Sequence, residues 1–214
     1  MTKTKTARAS QRYRPADRAR STPERILKAA ADLFLSKGFH ETNIDAIATA
    51  AAVTKPTIYS HFGSKDGLLL SMTEAYTANN AADLRQMLLP SGNTRSDLMR
   101  FGELFMERLL SDDAVGWHRL AMSESQKQPE LGAAIFDAGP KAVLQSLTSY
   151  LQVESSSGRI QCDEPLIAAE LLVGQLLGIN PFRFITGQPL PSKQTRKKRV
   201  RMAIDSFMLS YGVE

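Results

Sequence analysis

One cysteine, Cys162, in a chain of 214 residues excludes an internal disulfide. The three histidines, His40, His61 and His118, lie in separate segments, none with a second His or Cys at ligand spacing. The expectation is therefore no metal and no other cofactor, with Cys162 an inert structural thiol. No phosphate-binding loop and no dinucleotide fingerprint occur, so an enzyme, the main rival class, lacks its usual marks. No apolar run reaches the ~18 residues needed to span a bilayer, and no secretion signal is present. That predicts a soluble, cytoplasmic protein. Period-two alternation and internal repeats are also missing, which makes the expected fold all-α.

What is present is unevenly charged. Residues 1 to 65 hold twelve Lys/Arg against five Asp/Glu, while the remaining 149 hold fifteen against seventeen. The basic end is the end expected to meet nucleic acid. Residues 1–20 alone carry Lys3, Lys5, Arg8, Arg12, Arg14, Arg18 and Arg20 against Asp17. They show no apolar periodicity and read as a disordered arm, either following phosphates or simply solubilising the chain.

Order is predicted from Ser21-Thr22-Pro23-Glu24, a helix start whose inner stripe is Ile26, Ala30, Leu33 and Phe34 and whose stop is Gly38. Thr42 and Asp45 then stand at capping-box spacing before Ile44, Ile47, Ala48 and Ala51. Ala52-Val53-Thr54 makes a turn. Thr54 caps a second short helix, Lys55-Pro-Thr-Ile-Tyr-Ser-His-Phe62, where Pro56 is tolerated because a first-turn N–H has no intrahelical partner. Ile58 and Phe62 dock inward, leaving a polar outer face. This is helix-turn-helix, with Lys55 and Thr57 placed to reach base edges and Tyr59, Ser60, His61 and Lys65 available to the backbone; Thr42 and Thr54 complete the set of candidate DNA-binding residues.

The run from Glu24 to Leu70 resembles the DNA-binding domain of the TetR family of transcriptional regulators. Ile26-Leu27, Ala30, Leu33-Phe34, Gly38-Phe39, Thr42, Ile47-Ala48, Val53-Thr54, Thr57-Ile58-Tyr59, His61-Phe62 and Ser64-Lys65 carry the resemblance. The family usually has glycine where this chain has Ala52. A left-handed backbone costs Ala about 1 kcal/mol, so the turn is expected to differ slightly. Phe136-Asp-Ala-Gly-Pro140, Gly158-Arg-Ile160 and Ala168-Ala169 also resemble the AefR-like C-terminal domain.

Beyond Ser64 the pattern predicts a helix to Leu89, others over 94–110 and 112–126, one from Pro129 kinked at Gly139-Pro140, and two last helices, 164–179 and 194–211, around a Pro/Gly-rich link. About nine helices result, divided into a DNA-binding domain over 21–67 and an effector and dimerisation domain over 68–214. Met72, Tyr76, Met87, Phe101, Phe105, Met106, Trp117, His118, Met122 and Phe136 are large, adaptable side chains able to line an effector cavity, although such residues also simply fill cores. The resemblance implies a small-molecule effector in this domain. Ile167, Leu171, Gly174 and Gly178 form one apolar stripe, and Val200, Ile204, Phe207, Met208 and Tyr211 another. They are the candidate dimer surface, because reading palindromic double-stranded DNA requires two-fold symmetry. The expectation is a homodimeric repressor released from its operator by a small apolar or aromatic effector. The alternatives are a constitutive DNA-binding factor and an all-α enzyme.

Overall fold

The computed structural model describes residues 21–213, and within them every side chain except those of 77–87, 113 and 138. The expectations for the basic arm and for Met87 lie outside the described residues. Eleven α-helices follow in order: α1 Thr22–Lys37, α2 Ile44–Ala51, α3 Lys55–Phe62, α4 Lys65–Met87, α5 Thr94–Leu109, α6 Asp112–Ser125, α7 Pro129–Phe136, α8 Ala142–Ser156, α9 Pro165–Leu177, α10 Asn180–Thr186 and α11 Lys193–Tyr211. No strand occurs among the described residues; one antiparallel bridge, Ile160 to Gly212, ties down the end of α11.

Local chemistry sets most boundaries. Ser21 and Glu24 form a reciprocal capping box at α1, and Gly38 ends that helix at positive φ. At α2 the cap is Asn43, whose side chain accepts from the Ala46 N–H, and not Thr42 as spacing implied. Thr42 is buried instead, donating its hydroxyl to the Gly38 and Leu33 carbonyls. Pro140 has no N–H to give, and the chain accommodates it in a π-helical turn, Asp137–Lys141, that joins α7 to α8. The expected link 180–192 contains a helix, α10, because Phe184 has a buried partner: its ring stacks on His118 at 5.3 Å, and Arg119 Nε donates to its carbonyl at 2.6 Å.

The turn between α2 and α3 keeps left-handed geometry despite lacking glycine. Ala52 sits at φ 53 and ψ 50, the only described non-glycine at positive φ. Its N–H and that of Val53 close the helix on Thr49 and Ala48 at 3.2 and 3.0 Å, which holds the strained conformation. Ala52→Gly is accordingly expected to stabilise the protein by about 1 kcal/mol, read as a raised urea midpoint at unchanged slope.

Two apolar cores organise the chain. One gathers Ile26, Phe34, Ile47, Ile58, Leu68 and Met72 together with Trp117, Leu120 and Leu131, so α6 and α7 pack into the core of the first three helices. Packing therefore crosses the sequence boundary at residue 67. The other joins Phe101, Phe105, Leu147, Leu172, Val200, Ile204 and Phe207. Beside it lies a buried polar network that the sequence did not reveal. Tyr150 donates to Asp97 at 3.1 Å, and Arg159 grips Glu154 with two bonds of 2.8 and 2.7 Å. Thr94 also donates to Glu154, and the Ser91 N–H and Arg100 complete Asp97.

Candidate nucleic-acid interface

Helix α3 is short, and its exposure follows its spacing. Ile58 is fully buried while Lys55, Tyr59, Ser60 and His61 face solvent, and Phe62 is half-buried. Thr54 caps the helix: its hydroxyl accepts from the Thr57 N–H at 3.4 Å and lies 2.8 Å from the Thr57 hydroxyl. Ser60 turns its hydroxyl back to the Thr57 carbonyl at 2.9 Å. Lys55 and Tyr59, one turn apart, thus offer the longest polar reach from the outer face.

Two candidates occupy other places. Thr42, at 2 % exposure, is closed off from any DNA surface because its hydroxyl is already bonded inside the α1–α2 turn. Lys65 folds back: its ammonium lies 4.5 Å from the centre of the Phe39 ring and 3.5 Å from the His40 carbonyl, a cation–π contact that ties the start of α4 to the end of α1. Sequence spacing cannot show such a reversal. It also missed Asp45, which accepts a 3.0 Å hydrogen bond from Lys55 Nζ. That bond and the Asp45 charge hold the Lys55 ammonium above its ordinary pKa.

Further polar contacts join this domain to α6 and α7. His40 Nε2 lies 3.2 Å from Glu124 and 3.0 Å from Lys127 Nζ, while Gln128 donates to Asp66 at 2.7 Å.

The expected effector-pocket residues are divided between the two cores. Met72, Tyr76 and Trp117 belong to the first core, with the Tyr76 and Trp117 rings 5.0 Å apart, whereas Phe101 and Phe105 belong to the second. His118 is stacked on Phe184, and burial lowers its pKa. Met122 and Phe136 are exposed, since each falls on the outer face of its helix. Two open clefts of about 440 and 430 Å³ lie elsewhere, one between α9 and α11 along Gln175, Lys198 and Met202, the other between the end of α4 and α8 along Leu88, Gln145 and Tyr150.

The expected dimer stripe divides in the same way. Ile167, Leu171, Gly174 and Gly178 are exposed, Met208 and Tyr211 are half-buried, and Ile204 and Phe207 are buried in the second core. On α11, then, Ile204 and Phe207 serve the subunit's own core, and the helix has a second, outer face. Its exposed apolar side chains are Met202 and Leu209.

Two capped helices joined by a tight left-handed turn, the second with a polar outer face, define a helix-turn-helix DNA-binding regulator. The chain belongs to the TetR family: residues 26–72 match the bacterial regulatory proteins of the tetR family, and residues 96–213 match the AefR-like transcriptional repressor C-terminal domain. It is 29% identical over 110 residues to the HTH-type transcriptional activator FasR of Mycolicibacterium smegmatis, a match spanning 51% of this chain and only 50% of that protein. A TetR-family transcriptional regulator of Mesorhizobium loti superposes with TM-score 0.84 at 24% identity, covering 94% of this chain and 100% of the other. The flavonoid-responsive regulator FrrA superposes with TM-score 0.72 at 25% identity over 89% and 97%. The protein is a transcriptional regulator rather than an enzyme. Among the described residues no single helix is long and apolar enough to cross a membrane.

Proposed function

We propose that two copies of this chain bind a palindromic operator in the cytoplasm as a repressor and that a small apolar or aromatic effector releases them. The observation that carries the dimer is the outer face of α9 and α11, where Leu171, Met202 and Leu209 are 56, 61 and 88% exposed beside the small residue Gly174. Apolar side chains grouped this way mark a surface that associates. Charge agrees. Gln175 meets Ser206 and Gly178 approaches Arg199, so α9 and α11 run antiparallel. With a two-fold axis perpendicular to both helices, Glu170 and the acidic start of α9 lie level with Lys197, Lys198 and Arg201 of the second copy. Repression is supported by the AefR-like repressor domain, and an aromatic effector by the likeness to flavonoid-responsive FrrA.

The entry point we favour is the Tyr76–Trp117 contact, where α4 meets α6. Helix α4 is unbroken from its Ser64 cap beside α3 to Met87, so a ligand wedged between these rings shifts the recognition helix by its differential affinity for two conformers. Coupling of about 1 to 3 kcal/mol weakens operator binding roughly 5- to 150-fold. Selection from a randomised duplex library tests the first part: a palindrome with half-sites about 34 Å apart is expected, and enrichment of a single asymmetric site refutes the dimer. Titrating that duplex complex with flavonoids and other apolar aromatics tests the second, with Trp117 fluorescence expected to change over the concentrations that release DNA. A constitutive factor is the competing reading, favoured by the division of the pocket candidates between two cores. Release of DNA by no aromatic compound decides for it.

A further inference from the structure

Among the polar groups on the outer face of α3, Lys55 is the one held by a carboxylate from another helix. Asp45 stands in the first turn of α2 and Lys55 in the first turn of α3, and both side chains are well exposed, 67 and 46%. An exposed ion pair of this kind adds little to stability, so folding gives no strong reason for it. Its position does have consequences for DNA. A recognition helix meets base edges with its N-terminal residues, and a carboxylate there repels phosphates. A protein built only for affinity gains by leaving Lys55 unopposed.

The spacing of the pair matches a base-pair edge. Lys55 Nζ is a donor and Asp45 an acceptor, 3.0 Å apart. In the major groove a G·C pair presents guanine N7 and O6 as neighbouring acceptors and then the cytosine N4 donor, with O6 and N4 held at ordinary N–H···O distance, about 2.9 Å. The ammonium has three donors and covers N7 and O6 together, while the free lone pairs of Asp45 take the N4 hydrogen. An A·T pair alternates acceptor, donor, acceptor, and so offers the two groups one contact fewer. We propose that Asp45 and Lys55 act as a single donor–acceptor unit that reads one G·C pair in each half-site, with Asp45 the specificity-determining residue. On non-cognate DNA the pair stays closed on itself and Lys55 releases no counterion. On the cognate pair both groups are satisfied by bases. The inference rests on the DNA-binding reading of α3 and adds the base that this corner recognises.

The test uses the full-length protein and the duplex it enriches from a randomised library. Asp45→Ala and Asp45→Asn are measured on that duplex, on the same duplex with each G·C replaced in turn by A·T, and on a scrambled duplex, over a range of salt. Wild-type protein is expected to lose about 5-fold or more at one symmetric G·C position, and Asp45→Ala to lose that discrimination there and at no other position. On scrambled DNA Asp45→Ala is expected to bind more tightly, with a salt slope steeper by about one released ion. A rise by the same factor on cognate and scrambled duplexes overturns the proposal, because Asp45 then only masks a cation. Unchanged binding on all duplexes overturns it equally. If wild-type protein enriches no sequence, it is the helix-turn-helix assignment of α3 that fails.

Discussion

Phe207→Asp is expected to abolish the folded state, whereas Met202→Asp, on the same helix, is expected to leave the subunit folded and separate the proposed dimer. Five residues place the two side chains about 140° apart around α11. Phe207 is 4% exposed and its ring lies 4.8 Å from that of Tyr211, inside the core shared with Leu147 and Leu172. Removing a buried Phe costs about 3 to 5 kcal/mol, and an unpaired buried carboxylate adds several more. Since a domain's whole stability is about 5 to 15 kcal/mol, little remains. Met202 is 61% exposed, so within one subunit an Asp there changes stability by about 0.5 kcal/mol or less. In a dimer closed over this face the same charge is buried without a partner. Gly174→Arg acts alike, because nothing in the subunit lies within 4 Å of an added Cβ. Sedimentation is expected to give folded monomers for Met202→Asp and Gly174→Arg, with operator affinity collapsing as the half-sites become independent. Dimers that persist in both variants place the interface elsewhere.

Glu154→Ala is expected to destabilise the protein, because it empties a buried site and takes the carboxylate acceptor from Thr94 and from Arg159, whose side chain is only partly covered. Glu154 is fully buried and receives both bonds from Arg159 and one from Thr94. The Arg159 bonds hold its pKa below the ordinary carboxylate value against the opposing effect of burial. For Asp97, burial is the largest influence and pushes upward, but the bonds from Ser91 and Tyr150 and the charge of Arg100 outweigh it, leaving a lowered pKa. Both groups are depressed on folding. Their stabilisation is therefore complete above the unfolded carboxylate range, about pH 4, and is lost as pH falls through the lower folded values. Urea midpoints of the wild type should fall on acidification below about pH 5, and those of a Glu154→Ala, Asp97→Asn double variant should fall markedly less. Equal acid sensitivity of the two proteins contradicts this account.

Much of the DNA-binding end was legible because its determinants are local. Ser21 with Glu24, Thr54 before Pro56, and Gly38 after its helix each act within four residues, the range over which caps and turns work. Pro140 likewise announced the break between α7 and α8. Spacing misled where two neighbouring residues competed for one role, as when Asn43 took the cap of α2 and Thr42 went inside. It misled again on α10, whose Phe184 is held by His118 and Arg119 from a helix far back in the chain.

The sequence by itself determined the all-α class, the helix-turn-helix and which end of the chain is basic, since helical period, capping chemistry and charge all act at short range. Tertiary structure decided which face of each helix is spent on the subunit's own core. Ile204 and Phe207 have the same apolar character whether they meet α5 and α9 or a second copy, and only packing turns them inward and leaves Met202 and Leu209 outside. The same holds for charge: Lys55 found Asp45 and Lys65 found Phe39 through a fold that brings distant segments within 3.0 and 4.5 Å. Side-chain partners at that range depend on how helices cross, and a linear pattern carries no crossing angle.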